Sequence, residues 1–522
     1  MAPGVEQVAT AVRDHRIVAM IGFMGAGKST AAKAAAEALG TSAVDVDHVI
    51  AGRFGKPIPE VFATDGEAAF RATEERVTLE LLDDPTTRVL ALGGGAIGSA
   101  AVRDALARHL VAWVDIDVNT AWTRCRGSGR PLASDRSSFE RLHAEREPLY
   151  EALANIVVPN ECTHRMGEVL RAAERMPDET VMLWATTAAK DYPAYIGPGL
   201  LARRAFWPGT VTGRRFLVTD GAVGRLYGAS EAFAPLDGRV AIMPGEQSKT
   251  IAHAEIVWSE LARGGMTRGD VVVALGGGVV GDLAGFCAAT YQRGVRYVQV
   301  PTTLVAQADS AYGGKTGVDL EQAKNYVGAY HHPEAVIADP ATLASLPEAE
   351  LAAGYAEVVK TALIAGGRLW ETIRSGADPA DPRVIAACVR CKLSVVARDE
   401  RDAGVRQVLN LGHTVAHAIE TVTGYATYRH GEAVALGLLA ALRLSGHGPL
   451  RNEVADLLRA QGLPTSMHDV DPDAVVMATA RDKKRVGEGP VPFVLLPEPG
   501  DPRPGSTVAP RELIAAVREL AS

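Results

Sequence analysis

The chain has 522 residues, 47% of them apolar and 22% charged, with a formal net charge of −8. That length exceeds what one hydrophobic core supports and calls for two to four domains. The acidic balance argues against nucleic-acid binding, and no apolar run reaches the length of a membrane span. Five scattered cysteines, Cys125, Cys162, Cys287, Cys388 and Cys391, fit reduced thiols better than a disulfide framework. With no basic-then-apolar signal pattern at the N-terminus, a cytoplasmic enzyme is the expectation.

Taken in chain order, RIVAMIGF predicts a strand and KSTAAKAAAEAL a helix, and RVLALGGG and LVAWVDID predict further strands. This alternation over 1–172 predicts a parallel sheet with helices on both faces. The polar stretch AERMPDETV carries a proline and no clear period, which places a linker at 173–180. The pattern restarts at 181: FLVTD, RVAIMPGE, DVVVALGGG, RYVQVPTT and AVIADP predict the strands of a nucleotide-type α/β domain reaching residue 346. Residues 347–522 read mostly as helices, with a late strand at VPFVLL. CVRC, 388–391, falls within one predicted helix. No second C-x-x-C exists to complete a zinc ribbon, so it reads as two helix thiols one turn apart.

Two heptapeptides, LGGGAIG at 92–98 and LGGGVVG at 275–281, are nearly identical, yet their flanks do not align. Duplication is not indicated; each uses glycine to bring backbone N–H groups close to a ligand.

In the first half, GFMGAGKST (22–30) fits G-x-x-x-x-G-K-[ST] between a strand and a helix. Gly25, Ala26, Gly27, Lys28, Ser29 and Thr30 form a nucleotide cradle, with Lys28 neutralising phosphate charge and Ser29 ligating Mg²⁺. AVDVDHVI carries Asp45 and Asp47 at the end of a second strand, where alternate residues share a face. Asp45 suits the metal shell, and Asp47 suits a substrate hydroxyl. Arg71 and Glu74 follow one helical turn apart, Arg130 sits in a glycine-flanked lid (GSGRPLA), and Arg146 in EREPLY. Each arginine alone reads as a solvated face. In this order the motifs resemble shikimate kinase over almost all of 1–172. The resemblance implies ATP with Mg²⁺ as cofactors and shikimate held by Asp47, Arg71, Gly94 and Arg146. It gives Asp47 and Lys28 to the chemistry, closes Arg130 over ATP, and makes the first glycine turn a substrate wall.

In the second half, GGGVVGDLAGF departs from G-x-G-x-x-G. Glu246 and Lys249 in PGEQSKT and Thr302 and Thr303 in PTT strengthen it. A carboxylate for ribose hydroxyls, hydroxyls for phosphate and a glycine turn for pyrophosphate compose an NAD site. Glu357 and Lys360 lie one turn apart in a helix, His413 and His417 stand at i, i+4, and His430 starts a helix. A carboxylate with two histidines is a zinc set with an open position. Spacing leaves open whether His413 or His417 is the ligand. The cations Arg293, Lys315, Lys324, Lys360, Lys392, Arg406, Lys483 and Lys484 suit a multiply anionic substrate.

The stretches GGGVVGDLAGFCAATYQRGVRYVQVPTTLVAQADSAYGGKTGV, AEVVK, LNLGHTVAHAIE, HGEAVALG and DKK resemble 3-dehydroquinate synthase across roughly 181–522. The resemblance implies zinc on Glu357, His413 and His430, with cobalt able to use the same ligands. It implies NAD on Glu246, Lys249, Gly278, Gly281, Asp282, Thr302, Thr303, Lys315 and Lys324. It puts substrate on Asn325, Lys392, Arg406, Asn410 and one of Lys483 and Lys484, and gives Asp309, Lys360 and His417 to the reaction. Arg293 would reach the partner subunit's phosphate site, so a homodimer follows. The implied reaction uses the dinucleotide as oxidant and then reductant, with phosphate leaving by elimination and no net redox. Asp319, Ala323, Asp402 and the DSAY stretch depart from the usual pattern.

The expected fold is therefore α/β: a P-loop kinase domain, a Rossmann-like NAD-binding domain and a mostly helical metal-binding domain. The expected function is bifunctional, phosphorylating shikimate and making 3-dehydroquinate from 3-deoxy-D-arabino-heptulosonate 7-phosphate, with only small-molecule substrates and no nucleic-acid or membrane partner. The rival readings are another zinc/NAD sugar-phosphate cyclase, a simple metal-dependent alcohol dehydrogenase, and a non-catalytic nucleotide-binding module in the first half.

Overall fold

A computed structural model of the chain describes residues 16–128, 131–321, 323–479 and 491–521. The chain forms two compact units divided at Thr186; Pro193–Tyr195 and Phe206–Val211 also belong to the first.

In the first unit six parallel strands lie in the order Ala43–Asp45, Val89–Ala91, Val18–Ile21, Leu110–Asp115, Ile156–Pro159, Val181–Ala185. Val18–Ile21 is buried on both faces, as the strands of a parallel sheet covered by helices must be. The Lys28–Ala38 helix that follows it buries Ala31, Ala32, Ala35 and Ala36, so small side chains bring it close to the sheet. Met20 pairs with Ala91, so the glycine turns that follow these two strands leave the sheet side by side.

The expected linker, 173–180, joins the Met166–Ala172 helix to the Val181–Ala185 strand. The Val181–Ala185 strand pairs in parallel with Ile156–Pro159, Met182 opposite Ile156, and the first unit runs on to Thr186. The sequence expectation opens the second α/β run at this strand, because a polar stretch precedes it.

In the second unit five parallel strands lie in the order Ala335–Ala338, Arg296–Pro301, Val271–Gly276, Arg215–Asp220, Leu236–Ile242. The direction of winding reverses between Arg215–Asp220 and Val271–Gly276. A crevice at the carboxyl ends of such strands is where open α/β sheets bind ligands. Glu246, Gly277–Gly278 and Thr302–Thr303 all follow carboxyl ends of these strands. An antiparallel hairpin, Lys315–Leu320 with Ala323–Tyr330, comes next and was not expected.

The rest is mainly helical. Glu348–Ala365 and His430–Leu444 are buried along most of their length, the mark of helices at the centre of a domain. The late strand is present as Phe493–Leu495, paired with Arg503–Ser506. Cys388 and Cys391 share the Pro382–Arg398 helix as free thiols, and burial raises both, Cys391 to about 11. Thiols so shifted are inert near neutral pH. Among the described residues no helix is long and apolar enough to cross a membrane.

Candidate functional site

The first unit builds its site where the two glycine turns meet. Gly25 and Gly27 adopt φ +80° and +100°, which L side chains rarely tolerate, and the Lys28–Ala38 helix starts immediately after. Backbone amides at a helix start make an anion cradle. Lys28 Nζ donates to the Phe23 carbonyl at 3.1 Å, folded back over the loop. Ser29 Oγ lies 2.6 Å from Asp45 Oδ2, the hydroxyl–carboxylate pairing a Mg²⁺ shell requires. Ala26 is buried and Thr30 exposed.

Asp45 and Asp47 do not share a strand face as expected. The strand ends at Asp45, which caps the Val46–Phe54 helix by accepting the Asp47 amide at 3.0 Å. Asp47 belongs to the first helical turn, and that geometry turns its carboxylate towards the first LGGG. A Cβ on Gly93 would come within 2.9 Å of Asp47 Oδ1 and overlap Glu74; one on Gly95 would overlap the Arg71 guanidinium. One on Gly94 would lie 3.8 Å from Lys28 Nζ. This turn therefore lies between Lys28 of the phosphate cradle and the side chains of Asp47 and Arg71.

Arg71 is set by Glu74, which accepts from Nη1 at 2.6 Å, and by Glu67 at 3.0 Å. Burial raises the Glu74 carboxyl against the pull of Arg71. Arg146 Nη1 and Tyr150 Oη, one turn apart on the Arg136–Leu153 helix, both donate to the Gly94 carbonyl, at 3.1 and 2.7 Å. Tyr150 closes the quoted EREPLY motif and went unassigned in the sequence reading. Its Arg146-plus-four spacing was the available signal. Arg130 lies outside the described residues, as do Lys483 and Lys484.

In the second unit Glu357, His413 and His430 come from three helices, and their ligand atoms lie within 4.8 Å of one another. Both imidazoles aim Nε2 at Glu357 Oε1, at 3.5 and 3.3 Å. His413 Nδ1 faces the Leu411 carbonyl at 3.2 Å, and His430 Nδ1 faces Glu420 Oε1 at 3.4 Å. Such outer partners fix ring orientation in metal sites. The donor set of two imidazoles and a carboxylate therefore fits a divalent ion with an open position. Geometry also decides what spacing could not: His413 converges with Glu357, while His417 stands beside the group, its ring 5.5 Å from that of His413.

Glu420 was not singled out from sequence. It lies at i+7 from His413 on the same helix face, a period that could have found it. Burial would raise its carboxyl, but His430 and Lys324 bring it down to about 2.

Against the triad stands a buried charge cluster. Lys360 Nζ lies 2.5 Å from Glu357 Oε2 and 2.9 Å from Asp309 Oδ2, and Lys392 binds Asp309 Oδ1. Asp309 sits in a π-helical turn, Ala306–Ser310. Burial alone would raise its carboxyl, but the two ammonium groups hold it at about 2. Arg406 is buried, donating to the carbonyls of Glu400 and Gly313, at 2.5 and 3.0 Å. Asn410 ends the short Val405–Asn410 helix that carries Arg406.

The second LGGG differs from the first: it opens directly into the Gly278–Thr290 helix. A Cβ on Gly277 would lie 2.8 Å from Thr303 Cγ2, one on Gly278 3.1 Å from Ser310 Oγ, and one on Gly281 2.7 Å from Gln299 Oε1. Thr302 Oγ1 and Ser310 Oγ are buried there without hydrogen-bond partners, which suits a bound phosphate-bearing group. Lys249 bridges Asp282 at 2.7 Å and Glu246 at 3.8 Å, and Lys324 reaches Glu246 at 3.8 Å and Glu420 at 3.2 Å. A glycine turn at a helix start, flanked by these groups, fits a dinucleotide.

Three expected residues stand apart from the triad. Lys315 pairs with Asp402 at 2.5 Å, Asn325 is exposed at φ +56°, and Arg293 is exposed at φ +67°. Among the described residues none of them bonds to Glu357, His413 or His430. Of the departures from pattern, Asp402 makes the Lys315 pair and Asp319 donates its amide to the Lys249 carbonyl at 2.7 Å.

A family model described as shikimate kinase matches residues 24–175. Models described as 3-dehydroquinate synthase N-terminal and C-terminal match 239–353 and 354–485. A curated relative, 3-dehydroquinate synthase of Halorhodospira halophila, is 45% identical over 349 residues, covering 63% of this chain and 97% of the relative. Among solved structures, 2-deoxy-scyllo-inosose synthase, complexed with carbaglucose-6-phosphate, NAD⁺ and Co²⁺, is similar with a TM-score of 0.58 and 25% identity. The alignment covers 65% of this chain and 99% of that one. A 2-epi-5-epi-valiolone synthase from Streptomyces hygroscopicus subsp. jinggangensis, with NAD⁺ and Zn²⁺ bound, has a TM-score of 0.58 and 29% identity over the same shares.

Proposed function

The chain belongs to the 3-dehydroquinate synthase family and carries a shikimate kinase domain ahead of the synthase, a fusion of two enzymes of aromatic precursor biosynthesis, and from that premise we propose the reaction of each half. The first unit transfers the γ-phosphoryl group of ATP to the 3-hydroxyl of shikimate. The second converts 3-deoxy-D-arabino-heptulosonate 7-phosphate to 3-dehydroquinate and phosphate.

In the kinase half Gly25–Gly27 and Lys28 would hold the nucleotide phosphates, and Ser29 with Asp45 would hold Mg²⁺. Asp47 accepts the hydroxyl proton across the glycine wall from Lys28. Arg71 and Arg146 clamp the shikimate carboxylate, and their fixed guanidinium forks make that recognition directional.

In the synthase half Glu357, His413 and His430 would hold Zn²⁺, and the Gly276–Gly278 turn with Glu246, Lys249, Asp282, Thr302, Thr303 and Lys324 would hold NAD. Those two groups, when bound, supply Lewis acidity and a reversible hydride acceptor. The chain's own residues do the rest. Asp309 locks Lys360 and Lys392 into one cationic wall that meets the anionic substrate without reorganisation. A guanidinium has five donors, so the two carbonyl bonds of Arg406 leave others for an oxyanion. His417, beside the ligand group, moves protons at the substrate. Arg293, exposed in a left-handed turn, is free to serve a second subunit of a homodimer.

The observation that carries this reading is the convergence of Glu357, His413 and His430 beside the Lys360–Asp309–Lys392 cluster. The test uses the full chain. Phosphate release from heptulosonate phosphate without net NADH accumulation, and ADP formation that depends on shikimate, are expected. Lys28→Ala should abolish only the second activity and His430→Ala only the first. Turnover of sedoheptulose 7-phosphate or glucose 6-phosphate alone, or ADP formation indifferent to shikimate, would sink it.

A further inference from the structure

One carboxylate oxygen stands between the two cofactor regions of the synthase half. Glu420 Oε1 lies 3.4 Å from His430 Nδ1 and 3.2 Å from Lys324 Nζ. Glu420 is 2% exposed, so both contacts are made in a setting where water screens them little. Lys324 is fixed further by the Tyr425 ring, 4.4 Å from Nζ, and by Glu246 at 3.8 Å. His430 points its other nitrogen at Glu357. A continuous chain thus runs Glu357–His430–Glu420–Lys324–Glu246, from the metal group to the carboxylate placed for a ribose.

Each link limits its neighbours. Glu420 can hold His430 Nδ1–H only with the ring turned so that Nε2 faces the metal position. The same oxygen draws Lys324 inward across the hairpin, towards Glu246. Filling either cofactor site therefore orders the side chain on which the other depends.

We propose that Glu420 is a positioning residue that couples divalent-metal binding to dinucleotide binding, so that each ligand tightens the other. This rests on the reading of Glu357, His413 and His430 as metal ligands and of Glu246 and Lys324 as dinucleotide contacts. Coupling between sites is reciprocal: the factor by which metal strengthens dinucleotide binding equals the factor in the other direction.

The experiment uses the full chain, stripped with a chelator. The Kd for NAD⁺ is measured by calorimetry with and without Zn²⁺, and the Kd for Zn²⁺ by competition with a chromophoric chelator, with and without saturating NAD⁺. Wild type should show the same coupling factor in both directions, about 5-fold or more. Glu420→Ala should weaken Zn²⁺ binding at least about 10-fold and bring the coupling factor close to one. Lys324→Gln, which keeps the Glu420–His430 contact, should bind Zn²⁺ alone within about 2-fold of wild type and still lose the coupling. Independent binding of the two ligands to wild type, or a wild-type coupling factor in both variants, overturns the proposal and leaves the cofactor assignment standing. Failure of wild type to bind either ligand overturns the assignment and the coupling together.

Discussion

Lys360 binds Oδ2 of Asp309 while Lys392 binds Oδ1 of the same carboxylate, so one acid fixes two buried cations. Asp309→Asn leaves the Lys392 ammonium without its carboxylate and Lys360 with Glu357 alone. Breaking a buried pair this way costs about 3–5 kcal/mol. The expected outcome is a synthase rate at least about 100-fold lower and a Tm lower by several degrees, with the kinase rate unchanged. Parallel assays of the two reactions and a thermal melt check it.

Metal content should follow the geometry. Glu357→Gln, His413→Ala and His430→Ala are each expected to purify with little bound divalent ion. His417→Ala should keep the full stoichiometry and lose rate by about 100-fold or more. Elemental analysis beside synthase kinetics separates ligand from bystander. Chelation of the wild-type chain should stop the synthase, and added Zn²⁺ should restore it.

The first glycine turn offers a graded test. A methyl group on Gly93 or Gly95 meets Asp47, Glu74 or Arg71, whereas one on Gly98 meets nothing within 4 Å. Gly93→Ala and Gly95→Ala should raise the KM for shikimate about 10-fold or more, roughly 1.4 kcal/mol of lost binding. Gly98→Ala should match wild type. Steady-state kinetics of the kinase reaction decides, and equal behaviour of all three would remove the turn from the pocket.

Acid should loosen the loop that carries Arg406. Asp399 accepts from the Arg406, Ala403 and Gly404 amides, at 3.0, 2.9 and 2.7 Å. The Arg406 amide leads in pulling its carboxyl down, against a smaller effect of burial, to about 2. A carboxyl lowered by folding contributes stability above its unfolded pKa, about 3.9, and that contribution fades as pH falls towards about 2. The Tm gap between wild type and Asp399→Asn should therefore be constant above about pH 5 and narrow steadily below pH 4.

The alternation of apolar runs with helical stretches made nearly every strand that carries a functional turn visible in advance, because strands buried on both faces must be continuously apolar. What escaped were strands whose pairing is set by distant partners. The Val181–Ala185 run reads as a strand, but its parallel pairing with Ile156–Pro159 is nowhere in the run itself. The site residues were legible through motif order, not spacing. Spacing left His413 and His417 equivalent, and only the packing of three helices separates them. Asp45 and Asp47 were placed on one strand, but an acidic residue that caps a helix ends the strand where it stands. Tyr150 and Glu420 were hidden for a different reason. Each acts by steadying another group, and nothing in a single side chain announces what it will lean on.

The π-helical turn at Ala306–Ser310 works as a shim. Consecutive residues of an α-helix point about 100° apart, and a π turn carries one residue more per hydrogen-bonded loop. Trim that surplus residue and Asp309 swings through about 100°, leaving Lys392 without a carboxylate and Lys360 with Glu357 alone. The aim of the acid thus hangs on the count of residues in one turn, and a single-codon deletion there would disarm the cyclase as surely as replacing the acid itself.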